Sequence, residues 1–148
     1  MFVADQIHSA DVAKAAALGV TLIMNNYPDN SSPPDVTEVA IKTACRAAGL
    51  DYRRVPIAET CPEAIYAVEA ALASANGKVL AYSKDGLSAT IWSMVGVRQG
   101  ADCDALIASG TAAGYILLGV VTWYADSGWF GAARREGGPR VRTSLFPR

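Results

Sequence analysis

The run Ser83-Lys84-Asp85-Gly86-Leu87-Ser88-Ala89 carries the strongest chemical pattern in the chain. It follows the apolar segment Lys78-Val-Leu-Ala-Tyr82 and precedes a helical stretch, so it reads as strand, short glycine-containing loop and helix start. Such a loop receives anions. Its backbone N–H groups converge, and the helix dipole adds partial positive charge. Lys84 supplies a cation inside the loop, and Asp85 beside it offsets much of that pull. Ser83 opens the loop with a hydroxyl that stays protonated near neutral pH, and no general base adjoins it. An ordinary strand-to-helix connection with one glycine has the same pattern, so the loop alone does not decide the matter.

Other residues carry weaker signals. Asn26 and Tyr27 lie in the polar segment NNYPDNSSPP, and Tyr27 either stacks on a planar ligand or is an exposed turn residue. Asp29 is a candidate acid, or an Asx-type turn residue after Pro28. Glu59 is a candidate proton donor, or a solvated loop carboxylate. Cys61 stands at a helix start, where a thiolate is favoured, with no basic neighbour. Cys45 and Cys103 fall in helical patterns and read as small core or half-buried residues. His8 precedes a helix cap and reads as a surface residue, and Trp92 reads as core.

The elements that must position these residues alternate. A short edge strand is expected at Phe2–Ala4 and a helix from a Ser9 cap to Leu18, closed by Gly19. Val20-Thr-Leu-Ile-Met24 is a β-branched run expected as a buried strand. Asp35 opens a second helix with the stripe Val36, Val39, Ala40, Thr43, Ala44 and Ala47, closed by Gly49. Tyr52–Ile57 is the next strand. Thr60 caps a helix with Pro62 in its first turn, running to about Ser74. Lys78–Tyr82 is the last strand, and helices follow over 89–97 and 102–113. This order predicts an α/β fold: a short, mainly parallel sheet with helices on both faces. Ligands in such sheets bind outside the carboxyl ends of the strands. The loops 25–34, 58–61 and 83–88 leave those ends.

Composition narrows the field. The 148 residues fit one domain with a real core, being 51% hydrophobic and 18% charged. A net charge of −1 argues against a general nucleic-acid binder. Residues 134–148 nevertheless hold five Arg against one Glu. Three cysteines without a CxxC pair and a single histidine predict no disulfide framework, metal site or cofactor. The start of the chain lacks the basic and apolar regions of a signal peptide, and the apolar stretch 114–124 is too short to cross a bilayer. A cytoplasmic protein without membrane contact is expected.

Several motifs occur together: Gln6-Ile-His-Ser-Ala-Asp-Val-Ala13, Met24-Asn-Asn-Tyr-Pro-Asp29, Ala47-Ala-Gly-Leu-Asp-Tyr52, Val55-Pro56, Lys78-Val-Leu-Ala-Tyr-Ser-Lys-Asp-Gly86 and Ala112-Ala-Gly-Tyr115. In this order and spacing the chain resembles the bacterial phosphatase-like proteins related to the N-terminal domain of beta-lactamase-hydrolase-like proteins. The resemblance covers roughly residues 1–118 and implies the cysteine-dependent tyrosine/dual-specificity phosphatase fold. It implies a nucleophilic Cys at the position of Ser83 and an Arg five or six residues on. The thiolate would attack phosphorus and the guanidinium would clamp two phosphoryl oxygens. It also places a general-acid loop near Glu59. Here position 83 is Ser, positions 88 and 89 are Ser and Ala, and the family's Asn-Arg-Pro-Asp turn reads Asn26-Tyr27-Pro28-Asp29.

Loss of a catalytic nucleophile costs roughly 10⁴ to 10⁶ in rate. The expectation is therefore a pseudophosphatase that binds a small anionic ligand or a protein partner at the former phosphate loop. The alternative is a hydrolase of altered chemistry, using Ser83 or the carboxylates of Asp29 and Glu59. A third reading is a purely structural assembly domain. Residues 119–148, with Trp123, Tyr124, Trp129 and Phe130, form an extension that either packs back or supports a homodimer.

Overall fold

Val20–Asn25 (β2) and Lys78–Tyr82 (β4) are apolar along nearly their whole length, which suits strands covered on both faces. In the computed structural model they pair in parallel at the centre of a four-stranded sheet of order β1-β4-β2-β3. Phe2–Ala4 (β1) lies parallel to β4 at one edge, and Asp51–Arg54 (β3) lies parallel to β2 at the other. The structure describes residues 1–28, 37–57, 62–83 and 87–117. The extension 119–148 lies outside them.

Side chains leave each strand alternately toward two separate cores. Val3, Leu22, Met24, Val79 and Ala81 enter one, with Pro62–Ala73 (α3), Leu87–Arg98 (α4) and Cys103–Ala112 (α5). Ile23, Leu80 and Tyr82 enter the other, with Ser9–Ala17 (α1) and Glu38–Ala48 (α2). Helices thus cover both faces, as alternation of strand and helix requires. Val20 and Leu22 face opposite cores although they are two residues apart. The ladder is irregular between them, so one residue slips and Thr21 stays exposed.

α4 is buried nearly all round, because it packs on α3, α5 and β1 at once. After α5 the chain turns at Gly114, whose φ of 84° suits glycine, and the Tyr115 N–H returns to the Gly110 carbonyl at 2.8 Å. Tyr115 and Leu117 then enter the core, and Ile116 between them is 93% exposed. Gly110 has to lack a side chain, since a Cβ there would lie 2.7 Å from Leu117 Cγ.

Four local expectations need correction. α1 is capped by His8 rather than Ser9: the His8 N–H donates to Asp11 Oδ2 at 3.0 Å, and the Asp11 N–H returns to the His8 carbonyl. The buried stripe of α2 is Ile41 and Cys45, with Ala44 half-buried, and Val39 is 71% exposed. Ile41 and Cys45 pack in the core shared with α1, and Val39 lies off that stripe. β3 starts one residue early and ends at Arg54, although the Val55 and Ile57 N–H groups still donate to the carbonyls of Asn25 and Asn26. Pro56 between them has no N–H to continue the ladder. α4 starts at Leu87, so Ser88 and Ala89 stand in its first turn. The Thr60 cap and the Asp35 helix start fall outside the described residues. No described helix is long and apolar enough to cross a membrane.

Candidate ligand site at the carboxyl edge of the sheet

β2 is followed by α2 on one face, and its neighbour β4 by α4 on the other. Adjacent strands whose helices depart in opposite directions leave a crevice at their carboxyl ends. Ser83 stands there, immediately after β4.

Ser83 has no exposure to solvent. Its N–H donates to the Ala4 carbonyl at 3.3 Å, tying the turn to the end of β1. Its Oγ accepts the backbone N–H of Ser88 at 2.7 Å. An amide of the first turn of α4, which has no intrahelical partner, is therefore aimed back at the side chain of position 83. The Ser88 hydroxyl donates to Asn26 Oδ1 at 2.9 Å, and Asn26 Nδ2 donates to the Val55 carbonyl at 2.9 Å. Asn26 is 1% exposed and its N–H donates to the Tyr82 carbonyl at 2.9 Å.

A second polar cluster lies on the α1/α2 face of the sheet. Asn25 Nδ2 donates to the Tyr52 hydroxyl at 2.8 Å, and Asn25 Oδ1 accepts the Tyr27 N–H at 2.9 Å. The Tyr52 and Tyr82 hydroxyls are 3.5 Å apart. Burial pushes both phenols up from their ordinary range, so they are neutral hydrogen-bonding groups. The described polar groups bonded around Ser83, namely the Ser88 amide and hydroxyl and the Asn26 amide, carry no formal charge. Arg53 bonds the Ser74 hydroxyl, Arg54 Nη1 bonds Glu38 Oε2 at 3.0 Å, and Arg98 Nε bonds Glu69 Oε1 at 2.8 Å.

This arrangement agrees with comparison to known proteins. The family model "Beta-lactamase hydrolase-like protein, phosphatase-like domain" matches residues 1–99. The chain belongs to that family. The beta-lactamase hydrolase-like protein of Agrobacterium fabrum is 36% identical over 89 residues, which are 59% of this chain and 21% of that protein. The chain therefore spans about a fifth of that relative's length. A Neisseria meningitidis protein described as a phosphatase superposes with a TM-score of 0.70 at 24% identity, covering 84% of this chain and 90% of its own. A Cys-to-Ser variant of TpbA from P. aeruginosa, in complex with pTyr, gives 0.54 at 17% identity, covering 84% and 86%. These two likenesses show the fold.

Within this phosphatase-like family fold, Ser83, Ser88 and Asn26 come together at the expected edge. Ala89 is buried beside them in sequence, and Leu87 is the first residue of α4. Tyr27 is placed differently from its expectation. It is 2% exposed and packs on Tyr82 with ring centroids 6.0 Å apart, so its ring is part of the α1/α2 core and does not line a mouth. The aromatic ring buries more apolar surface there than a turn position would allow. Asp29, Glu59, Cys61, Lys84, Asp85 and Gly86 lie outside the described residues. Cys45 is buried, and desolvation pushes its thiol up to about 11. His8 is exposed, and Trp92 is core. No group of three metal-ligating side chains occurs among the described residues.

Asn25 and Tyr52 were not singled out by sequence. Their pairing depends on the β2–β3 register, which sets Ile23 beside Tyr52 and Asn25 beside Arg54. Gln6 was also missed as an individual residue. Its Nε2 donates to the Ile7 carbonyl at 2.6 Å, and its buried Oε1 has no hydrogen-bond partner among the described residues.

Proposed function

We propose that this phosphatase-like chain binds an anionic group, or a partner presenting one, at the β4–α4 turn without turning it over. The observation that carries the reading is the Ser83–Ser88 contact. The residue at the position of the resemblance's nucleophile is a fully buried neutral hydroxyl, and it already accepts a helix-start N–H. A serine hydroxyl attacks phosphorus only when a base removes its proton. The described groups bonded to Ser83 are the Ala4 carbonyl and the Ser88 amide, and neither is such a base. The binding half of the reading is supported by the start of α4 next to Ser83, since the N-terminal end of a helix favours negative charge. The pTyr carried by the TpbA neighbour makes a phosphorylated aromatic group the first ligand to try.

The test is an aryl phosphate assay on the whole chain and on Ser83→Ala. The expected result is no release above background from either protein. Turnover by the unsubstituted chain that disappears in Ser83→Ala would establish serine-based hydrolysis and overturn the reading.

A further inference from the structure

We infer that Asn26 and Ser88 form a latch that couples the turn after β4 to the segment leaving β3. This goes beyond ligand binding and does not depend on it.

Asn26 commits every polar group it owns. Its N–H goes to the Tyr82 carbonyl at 2.9 Å, and its carbonyl accepts the Ile57 N–H at 3.2 Å. Its Oδ1 accepts the Ser88 hydroxyl, and its Nδ2 donates to the Val55 carbonyl, each at 2.9 Å. The orientation of the amide is fixed, because a carbonyl can only accept and so must face Nδ2. One side chain thus bonds the first turn of α4 on one side and the exit of β3 on the other. Ser88 extends the chain, since its own N–H is held by Ser83 Oγ.

All three residues are within 2% of full burial, so water is not at hand to replace a broken bond. A shift of Ser88 at the turn therefore moves its hydroxyl against Asn26. Asn26 holds Val55 through its side chain and Ile57 through its backbone. The reverse path is equally open: displacement at Val55 or Ile57 is felt at Ser88. Asn26 is a positioning residue in this account, since each of its polar atoms bonds another part of the chain.

The test is amide hydrogen exchange on the whole chain without ligand. Ser88→Ala removes the hydroxyl on the helix side, and the expected readout is at Ile57, whose amide should exchange at least about tenfold faster. Asn26→Ala should speed both the Ile57 and the Ser88 amides. Ser88→Thr, which keeps a hydroxyl, should return Ile57 to within about threefold of the unsubstituted chain. The core amide of Leu80 should change less than about twofold throughout. An Ile57 rate unchanged in Ser88→Ala would overturn the latch. So would a parallel acceleration of Leu80 and Ile57, which would mark general loosening in place of coupling. Inorganic phosphate titrated into the unsubstituted chain separates the two proposals. Failure to bind it would contradict the anion-binding reading and leave the exchange result standing.

Discussion

The Ser83 side chain takes the backbone N–H of Ser88 at 2.7 Å, across the turn that joins the central strand β4 to α4. The contact joins the end of β4 to the first turn of α4 through a neutral group. Replacing Ser83 by Ala would leave the buried Ser88 N–H without its Ser83 acceptor. An orphaned buried donor costs about 1–3 kcal/mol. Urea unfolding of Ser83→Ala should show a loss of that size with an unchanged slope.

Tyr52→Phe tests the second polar cluster. The phenol oxygen accepts from Asn25 Nδ2 at 2.8 Å, and Asn25 itself is buried. Removing the oxygen leaves that amide unpaired, with an expected loss of about 1–3 kcal/mol. A loss below about 0.5 kcal/mol would show that the cluster is not held as described.

Gly110→Ala tests the return of the chain after α5. Alanine favours a helix over glycine by about 1 kcal/mol. Here the new methyl would meet Leu117 Cγ at 2.7 Å and displace a core side chain. Overpacking of this kind costs about 1–3 kcal/mol, so the net change in thermal unfolding should be destabilising.

The pH dependence has a defined sign. Glu38 is held below the usual carboxylate range, first by its hydrogen bond to Lys42 and then by the charges of Lys42 and Arg54. A carboxyl lowered in the folded state adds stability that is present above its unfolded value, and that stability is lost as pH falls through the folded value. Asp11 acts the same way through Lys14. Stability should therefore fall as the medium is taken below the ordinary Glu value of 4.5. Glu38→Gln should flatten part of that fall, as read by unfolding curves at successive pH values.

Much of the frame is legible in the residues themselves. β2 and β4 stand out because strands buried on both faces must be continuously apolar, and the helices between them force a parallel sheet. Ser83 is placed at the edge of that sheet by the same logic. The stripe of α2 is not legible, because alanines and threonines offer several nearly equal faces and the choice falls to whatever packs on α1. Tyr27 is misjudged for a related reason: a polar, proline-rich context hides a ring that turns inward. The pairing of Asn25 with Tyr52 spans 27 residues and depends on a register that no local pattern reveals. The Asn26–Ser88 bond spans 62 and is hidden in the same way.

Recognition without turnover is tested most directly by phosphorus and amide resonances followed together, in one sample of the whole chain with phenyl phosphate. The account predicts saturable shifts of the Ser83 and Ser88 amides while the phosphorus signal remains that of the intact ester. Growth of an inorganic phosphate signal at a rate set by the protein, or saturation without any movement at Ser83 and Ser88, would contradict it.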